Sequence, residues 1–197
     1  MTQGAKPVLA VDVDDVLLPF APAFLDRFND EYGTSHKVED ISDYFFIKDL
    51  FGMDEDDDVE PHITEHIHWA INNGVEIDEV AVEAIRKLEE YYEIVVITAR
   101  HPDVYEATKS WLQSQLPDVF KQVHFNRARD AKTSKVQICQ ELGATVLIDD
   151  HPENLLECAE HGVQGLLFGE YFWNRDVDLP AGVRRVKNWS EVLEVLA

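Results

Sequence analysis

Basic residues are scarce in this chain of 197 residues: Lys and Arg number 17 against 39 Asp and Glu, a formal charge of −22. Coating a nucleic-acid polymer needs clustered cations to neutralise phosphates, so that role is excluded. Adhesion to anionic membranes is excluded on the same ground. Cysteine is nearly absent. Cys139 and Cys158 stand far apart and form no CxxC, so neither a structural disulfide nor a cysteine zinc site is expected, and a reducing cytoplasm is the default location. No uncharged apolar run reaches the roughly 20 residues of a membrane helix. Residues 1–7 lack the apolar stretch and cleavage site of a leader. There is no internal repeat, and the acidic run 54–58 reads as a solvated loop.

What is present suffices for a folded domain: 45% hydrophobic and 10% aromatic residues. Residues 8–13 form a short apolar run ending in acids, the pattern of a buried strand. Phe20, Phe24, Leu25 and Phe28 have helical spacing, stopped by Gly33. Residues 34–58 carry little pattern, and helices are predicted over 61–73 and 77–91. Strands then alternate with helices: strand 93–98, helix 103–115, strand 122–125, helix 134–142, strand 144–148, helix 154–161, strand 163–168 and a last helix 191–196. This order predicts an α/β fold, a doubly wound parallel sheet with right-handed crossovers. The expected organisation is a core of 1–17 and 79–197, with 18–78 a small helical cap inserted after the first strand.

In such sheets ligands bind beyond the carboxyl ends of the strands, near the point where strand order reverses. The ends here carry Asp12 and Asp14, then Thr98 and Arg100, then Asp149 and Asp150, while Lys135 opens the helix before the last pair. Any one of these residues alone would be an ordinary turn, cap or surface residue. Four carboxylates in one crevice repel one another unless a cation sits among them. Oxygen ligands without His or Cys favour Mg²⁺, which commonly works with a phosphate. An aspartate facing that phosphorus can attack it, and a second carboxylate two residues on can move the proton.

At these residues the sequence resembles the haloacid dehalogenase (HAD) superfamily of phosphohydrolases, through four blocks spanning Val8 to about Asn154. The resemblance implies a Rossmann-like core, with Asp12 as nucleophile and Asp14 as general acid and base. It places Mg²⁺ on Asp12, the Asp14 main-chain carbonyl and Asp149. Thr98 then grips the phosphoryl group, Lys135 is the phosphate-site lysine with Lys132 in reserve, and Asp150 supports the site. Residues 12–20, Asp-Val-Asp-Asp-Val-Leu-Leu-Pro-Phe, resemble more narrowly the 5′(3′)-deoxyribonucleotidase group, which makes Phe20 a candidate base contact. The segment 168–175, Phe-Gly-Glu-Tyr-Phe-Trp-Asn-Arg, is similar to a closing segment of prokaryotic relatives. Asp15 departs from the pattern, standing where that group usually has glycine. Phe45, Phe46 and Trp69 are open as base contacts or cap packing, and Arg100 as a substrate contact or the partner of an acid. His62 and His66 share a helix face without HExxH, and are expected on a partly exposed polar face.

The expected function is a cytoplasmic, Mg²⁺-dependent phosphomonoesterase acting on a small phosphorylated substrate, a (deoxy)nucleoside 5′-monophosphate. A sugar phosphate, a polynucleotide end and a non-catalytic phosphate-binding role remain as alternatives, and a homodimer stays open. Only four acids belong to the expected metal site, so most of the negative excess lies elsewhere and repels itself. Added salt screens that repulsion. The melting temperature should therefore rise as KCl is raised; a flat or falling trend would show that the excess charge does not limit stability.

Overall fold

The computed structural model describes residues 5–42, 46–128 and 133–197. Six parallel strands form one sheet: β1 (Val8–Val11), β2 (Glu93–Thr98), β3 (Phe120–Phe125), β4 (Ala144–Asp149), β5 (Gln164–Phe168) and β6 (Val183–Val186). Their order is β3-β2-β1-β4-β5-β6. The chain winds outward in one direction from β1 and then in the other from β4, so the order reverses between those two strands. Val11 pairs with Val96 on one side and with Ile148 on the other. This is the doubly wound Rossmann-like sheet expected from the alternation of elements.

The central strands are apolar because both of their faces are covered. Successive side chains point to opposite faces. On one face Leu9, Val11, Ile94, Val96, Val146 and Ile148 join one buried cluster. On the other, Ala10, Val95, Ile97 and Leu147 join a second, with Val136 and Cys139 of a covering helix. Cys139 and Cys158 are free thiols buried in this second cluster.

The helices begin and end where local chemistry directs. Helix α1 (Phe20–Tyr32) stops at Gly33, whose φ of 67° suits glycine. Helices α2 (Phe46–Phe51) and α3 (Glu60–Asn72) also lie between β1 and α4 (Glu79–Leu88). Their apolar faces merge with the first cluster through Phe20, Phe24, Phe46 and Ile67. Asp78 caps α4, accepting from the Val80 N–H at 2.8 Å. Helix α5 (Tyr105–Gln115) follows a tight turn at Pro102–Val104. Helix α6 (Lys135–Leu142) starts on a Ser134–Gln137 capping box. The short α7 (Phe172–Arg175) and α8 (Trp189–Leu196) complete the set. Among the described residues no helix is long and apolar enough to cross a membrane.

Three elements differ from expectation. Strand β6 was not expected, because Val183-Arg184-Arg185-Val186 has no clean alternation; it is a short edge strand beside β5. The stretch 154–161 forms two single 3₁₀ turns, Pro152–Leu155 and Ala159–His161, rather than one α-helix. Spacing by three keeps Leu155 and Cys158 on the buried side, while the Asn154 side chain is drawn to Asp149. His66 is fully buried rather than part of a polar face. It lies 4.9 Å, ring to ring, from both Phe20 and Phe24, and burial lowers its pKa to about 4.

Leu147 is fully enclosed at the centre of the sheet. Leu147→Ala should cost about 2–5 kcal/mol of stability, read from the midpoint of urea unfolding. A loss under ~1 kcal/mol would show that the second cluster collapses into the space.

Candidate active site

Each chemistry-bearing residue reaches the site from an element end. Asp12 follows β1, and its backbone N–H donates to the Ile148 carbonyl at 3.0 Å. Asp149 is the last residue of β4, and Thr98 the last of β2. Lys135, first residue of α6, is buried and reaches up between the strands. Its Nζ lies 2.8 Å from Asp12 Oδ1 and 2.7 Å from Asp149 Oδ2. The other oxygen of Asp149 accepts from the His151 N–H at 3.0 Å and from Asn154 Nδ2 at 2.8 Å. Asp12, Asp149 and Asp150 each bring an oxygen within 4.8 Å of the others.

Burial sets the electrostatics. It pushes the Asp12 carboxyl up to about 7; Lys135 opposes this, and Asp149 and Asp14 add to it. Burial likewise holds Asp150 well above the carboxylate range, helped by Asp149. Burial works against the charge on Lys135, but Asp12 and Asp149 outweigh it and raise its pKa. With all three ionised, the carboxylates would exceed the one ammonium by two charges, which is why burial favours their protonated forms unless a cation joins them. That charge, the oxygen-only donors and their closeness fit a divalent cation.

Asp14 borders the same cleft but is not one of these three acids. Arg100 grips it with two bonds, Nε to Oδ2 at 3.0 Å and Nη2 to Oδ1 at 2.7 Å, while Arg100 Nη1 donates to Thr108 Oγ1 at 2.9 Å. Arg100 thus takes the acid-pairing alternative, although it also borders the cleft. Among the described residues, buried Thr98 Oγ1 has no hydrogen-bond partner.

A cleft of about 230 Å³ opens above these groups. Its floor is charged, with Asp12, Asp14, Lys135 and Asp150. Its roof is apolar, with Phe20, Phe46, Ile47, Val59, Ile63 and Ile67. Glu60 and Arg127 meet in an ion pair at its border. Trp69 lies outside it, with Arg27 over its ring. Lys132 and Phe45 lie outside the described residues.

Sequence reasoning missed the role of three residues. Asp15 is buried with φ 55°, and its Oδ1 accepts from the Ala21 N–H at 3.0 Å, so it caps α1 from a distance. Its departure from the glycine that the resemblance implies at this position was the available signal, since the αL region admits Asp. Trp173 lines the cleft and bonds Asp150, and Tyr171 bonds the Asp15 carbonyl. Their segment was visible in the sequence, but no local pattern indicated these contacts.

The sheet has the fold of HAD-type hydrolases. Solved structures of that class share the fold. A haloacid dehalogenase-like hydrolase of Streptococcus pneumoniae has a TM-score of 0.61 at 13% identity, covering 98% of this chain and 99% of the other. A HAD-hydrolase of Bacillus subtilis, solved bound to magnesium, has a TM-score of 0.63 at 12% identity over 98% and 99%. The chain belongs to the family described as 5′ nucleotidase, deoxy (pyrimidine), cytosolic type C, which matches residues 6–197. A 5′(3′)-deoxyribonucleotidase of Clostridium acetobutylicum is 25% identical over 160 residues, 76% of each chain. A Halalkalibacterium halodurans protein named as a nucleotidase is 25% identical over 192 residues, 97% of this chain and 93% of that one. The protein is thus an enzyme of the phosphatase and nucleotidase kind.

Burial also raises the Asp15 carboxyl, to about 8; the Ala21 hydrogen bond opposes this, and Asp14 and Asp12 add to it. A carboxyl raised in the folded state binds more protons there than in the unfolded chain. It therefore supports folding fully at low pH and loses that support as pH rises from about 4 to about 8. Asp15→Asn keeps the acceptor for Ala21 and tolerates the αL geometry. In metal-free protein this variant should melt above wild type at pH 9, with the gap closing by pH 4. A gap independent of pH would show that Asp15 is not held protonated.

Proposed function

We propose that the enzyme hydrolyses (deoxy)nucleoside 5′-monophosphates through an aspartyl-phosphate on Asp12. The observation that carries this reading is Lys135 bridging Asp12 and Asp149 on the floor of a cleft whose roof is apolar. A phosphate belongs with the floor and a flat base with the roof. A sugar phosphate would press hydroxyls against Phe20, Ile63 and Ile67, none of which can hydrogen-bond, whereas a flat base meets them without that desolvation cost. Residues 18–78 act in this reading as a cap over a core of 1–17 and 79–197. They supply most of the roof.

Asp12 attacks phosphorus in line, and the bond to the leaving oxygen breaks. The Lys135 ammonium and the Thr98 hydroxyl donate to phosphoryl oxygens as charge gathers on them. Among the described residues Thr98 has no competing partner to give up. Asp14 gives a proton to the departing 5′ oxygen, then takes one from the water that opens the acyl-phosphate. The Arg100 fork orients Asp14 as a carboxylate, and one of its two bonds opens when Asp14 carries the proton. Asp12, Asp149 and Asp150, with the Asp14 main-chain carbonyl, would hold Mg²⁺, which when bound neutralises charge on the phosphoryl oxygens.

Phosphate release from a panel of deoxynucleotides, ribonucleotides and sugar phosphates tests both halves. Nucleoside monophosphates should lead the panel, and chelation should remove activity that added Mg²⁺ restores. Asp12→Asn should lower turnover by several orders of magnitude without loss of fold. A variant at the wild-type rate would rule out Asp12 as nucleophile, and a preference for sugar phosphates would rule out the base-binding roof.

A further inference from the structure

After β5 the chain turns back over the carboxylate cluster. The turn starts at Gly169, with φ 79°. A Cβ there would come within 2.5 Å of a Tyr171 ring carbon, so the close return of that ring requires glycine. Tyr171 stacks flat on Trp173, with ring centroids 4.6 Å apart and planes 1° from parallel. Trp173 Nε1 donates to Asp150 Oδ2 at 2.9 Å. The next residue, Asn174, is fully buried and donates from Nδ2 to the Asp150 carbonyl at 2.8 Å and the Phe168 carbonyl at 2.9 Å. Arg185 of β6 fastens the segment from outside, Nη2 to the Asn174 carbonyl at 2.6 Å.

One short segment therefore grips Asp150 by both main chain and side chain. A tryptophan that served only as a wall of the cleft would not need its N–H aimed at a carboxylate. An indole N–H can only donate, so the bond engages one oxygen of Asp150 and restricts rotation of the carboxylate. Trp173 does not engage the other oxygen, Oδ1.

We propose that Trp173 is a positioning residue for the cation site: its indole N–H sets the orientation in which Asp150 joins Asp12 and Asp149. This rests on reading that cluster as the Mg²⁺ site. Groups that orient a metal ligand typically account for 10–100-fold in metal affinity. Trp173 takes no part in bond making.

Calorimetric titration of Mg²⁺ alone into the metal-stripped full chain tests this. Trp173→Phe keeps the stacked ring and removes the donor, and should weaken binding about tenfold or more. Trp173→His restores a ring N–H and should recover part of the loss. Tyr171→Phe leaves both Asp150 bonds in place and should bind as wild type does. Equal affinity in wild type and Trp173→Phe overturns the proposal, as does equal weakening in Tyr171→Phe, which would place the effect in strap packing. A wild-type chain that takes up no Mg²⁺ overturns the cation reading itself, a distinct outcome. A measurement free of variants is the indole N–H resonance in the wild-type protein. That of Trp173 should move on Mg²⁺ addition, while that of Trp111, bonded to the Val75 carbonyl, should not. An unmoved Trp173 resonance overturns the proposal whatever the variants show.

Discussion

One ammonium group holds the site together. Lys135 Nζ stands within 3 Å of carboxylates from two strands, at the point where the sheet changes direction. Without it, Asp12 and Asp149 would face each other across a buried gap, where like charges are costly. Its reach depends on where α6 begins, and the Ser134–Gln137 capping box sets that start. The helix is then seated by Val136, Ile138 and Cys139 in the second apolar cluster. A cap, a packed helix face and a salt bridge thus act in series. An error in any of them would misplace the one cation on which two acids rely.

Most of this frame was legible in the residues. Apolar runs ending in acids announced β1 and β4, and a lysine just after a serine cap announced α6. These signals are local and periodic, so sequence carries them well. What escaped was non-local. The Trp173–Asp150 bond spans 23 positions and the Tyr171–Asp15 bond 156, and no spacing rule connects them. β6 escaped because an edge strand need not be apolar, and its Arg185 serves a contact to Asn174 rather than a periodic pattern. The burial of His66 escaped because α3 presents that face to Phe20 and Phe24 rather than to water. The segment 154–161 had helical composition, yet Asp149 claims Asn154 and the turns tighten.

The second aspartate of the first block illustrates how neighbouring acids are kept apart in role. Asp12 lies inward among carboxylates and a lysine; two residues on, Asp14 turns to an arginine. β1 ends at Val11, so the loop rather than strand alternation turns them to different partners. Asp15 turns inward again and serves the helix that carries Phe20. Three acids in four positions thus meet a lysine, an arginine and a helix start, and the loop between strand and helix couples all three.

The cations of the cleft lead to a different kind of consequence. Among the described residues Lys135, Arg100 and Arg127 border it, and each already holds a carboxylate. An anion drawn to any of these three side chains must displace a resident carboxylate for each contact it gains. Their charge is already spent inside the protein, which leaves the three little attraction for stray anions.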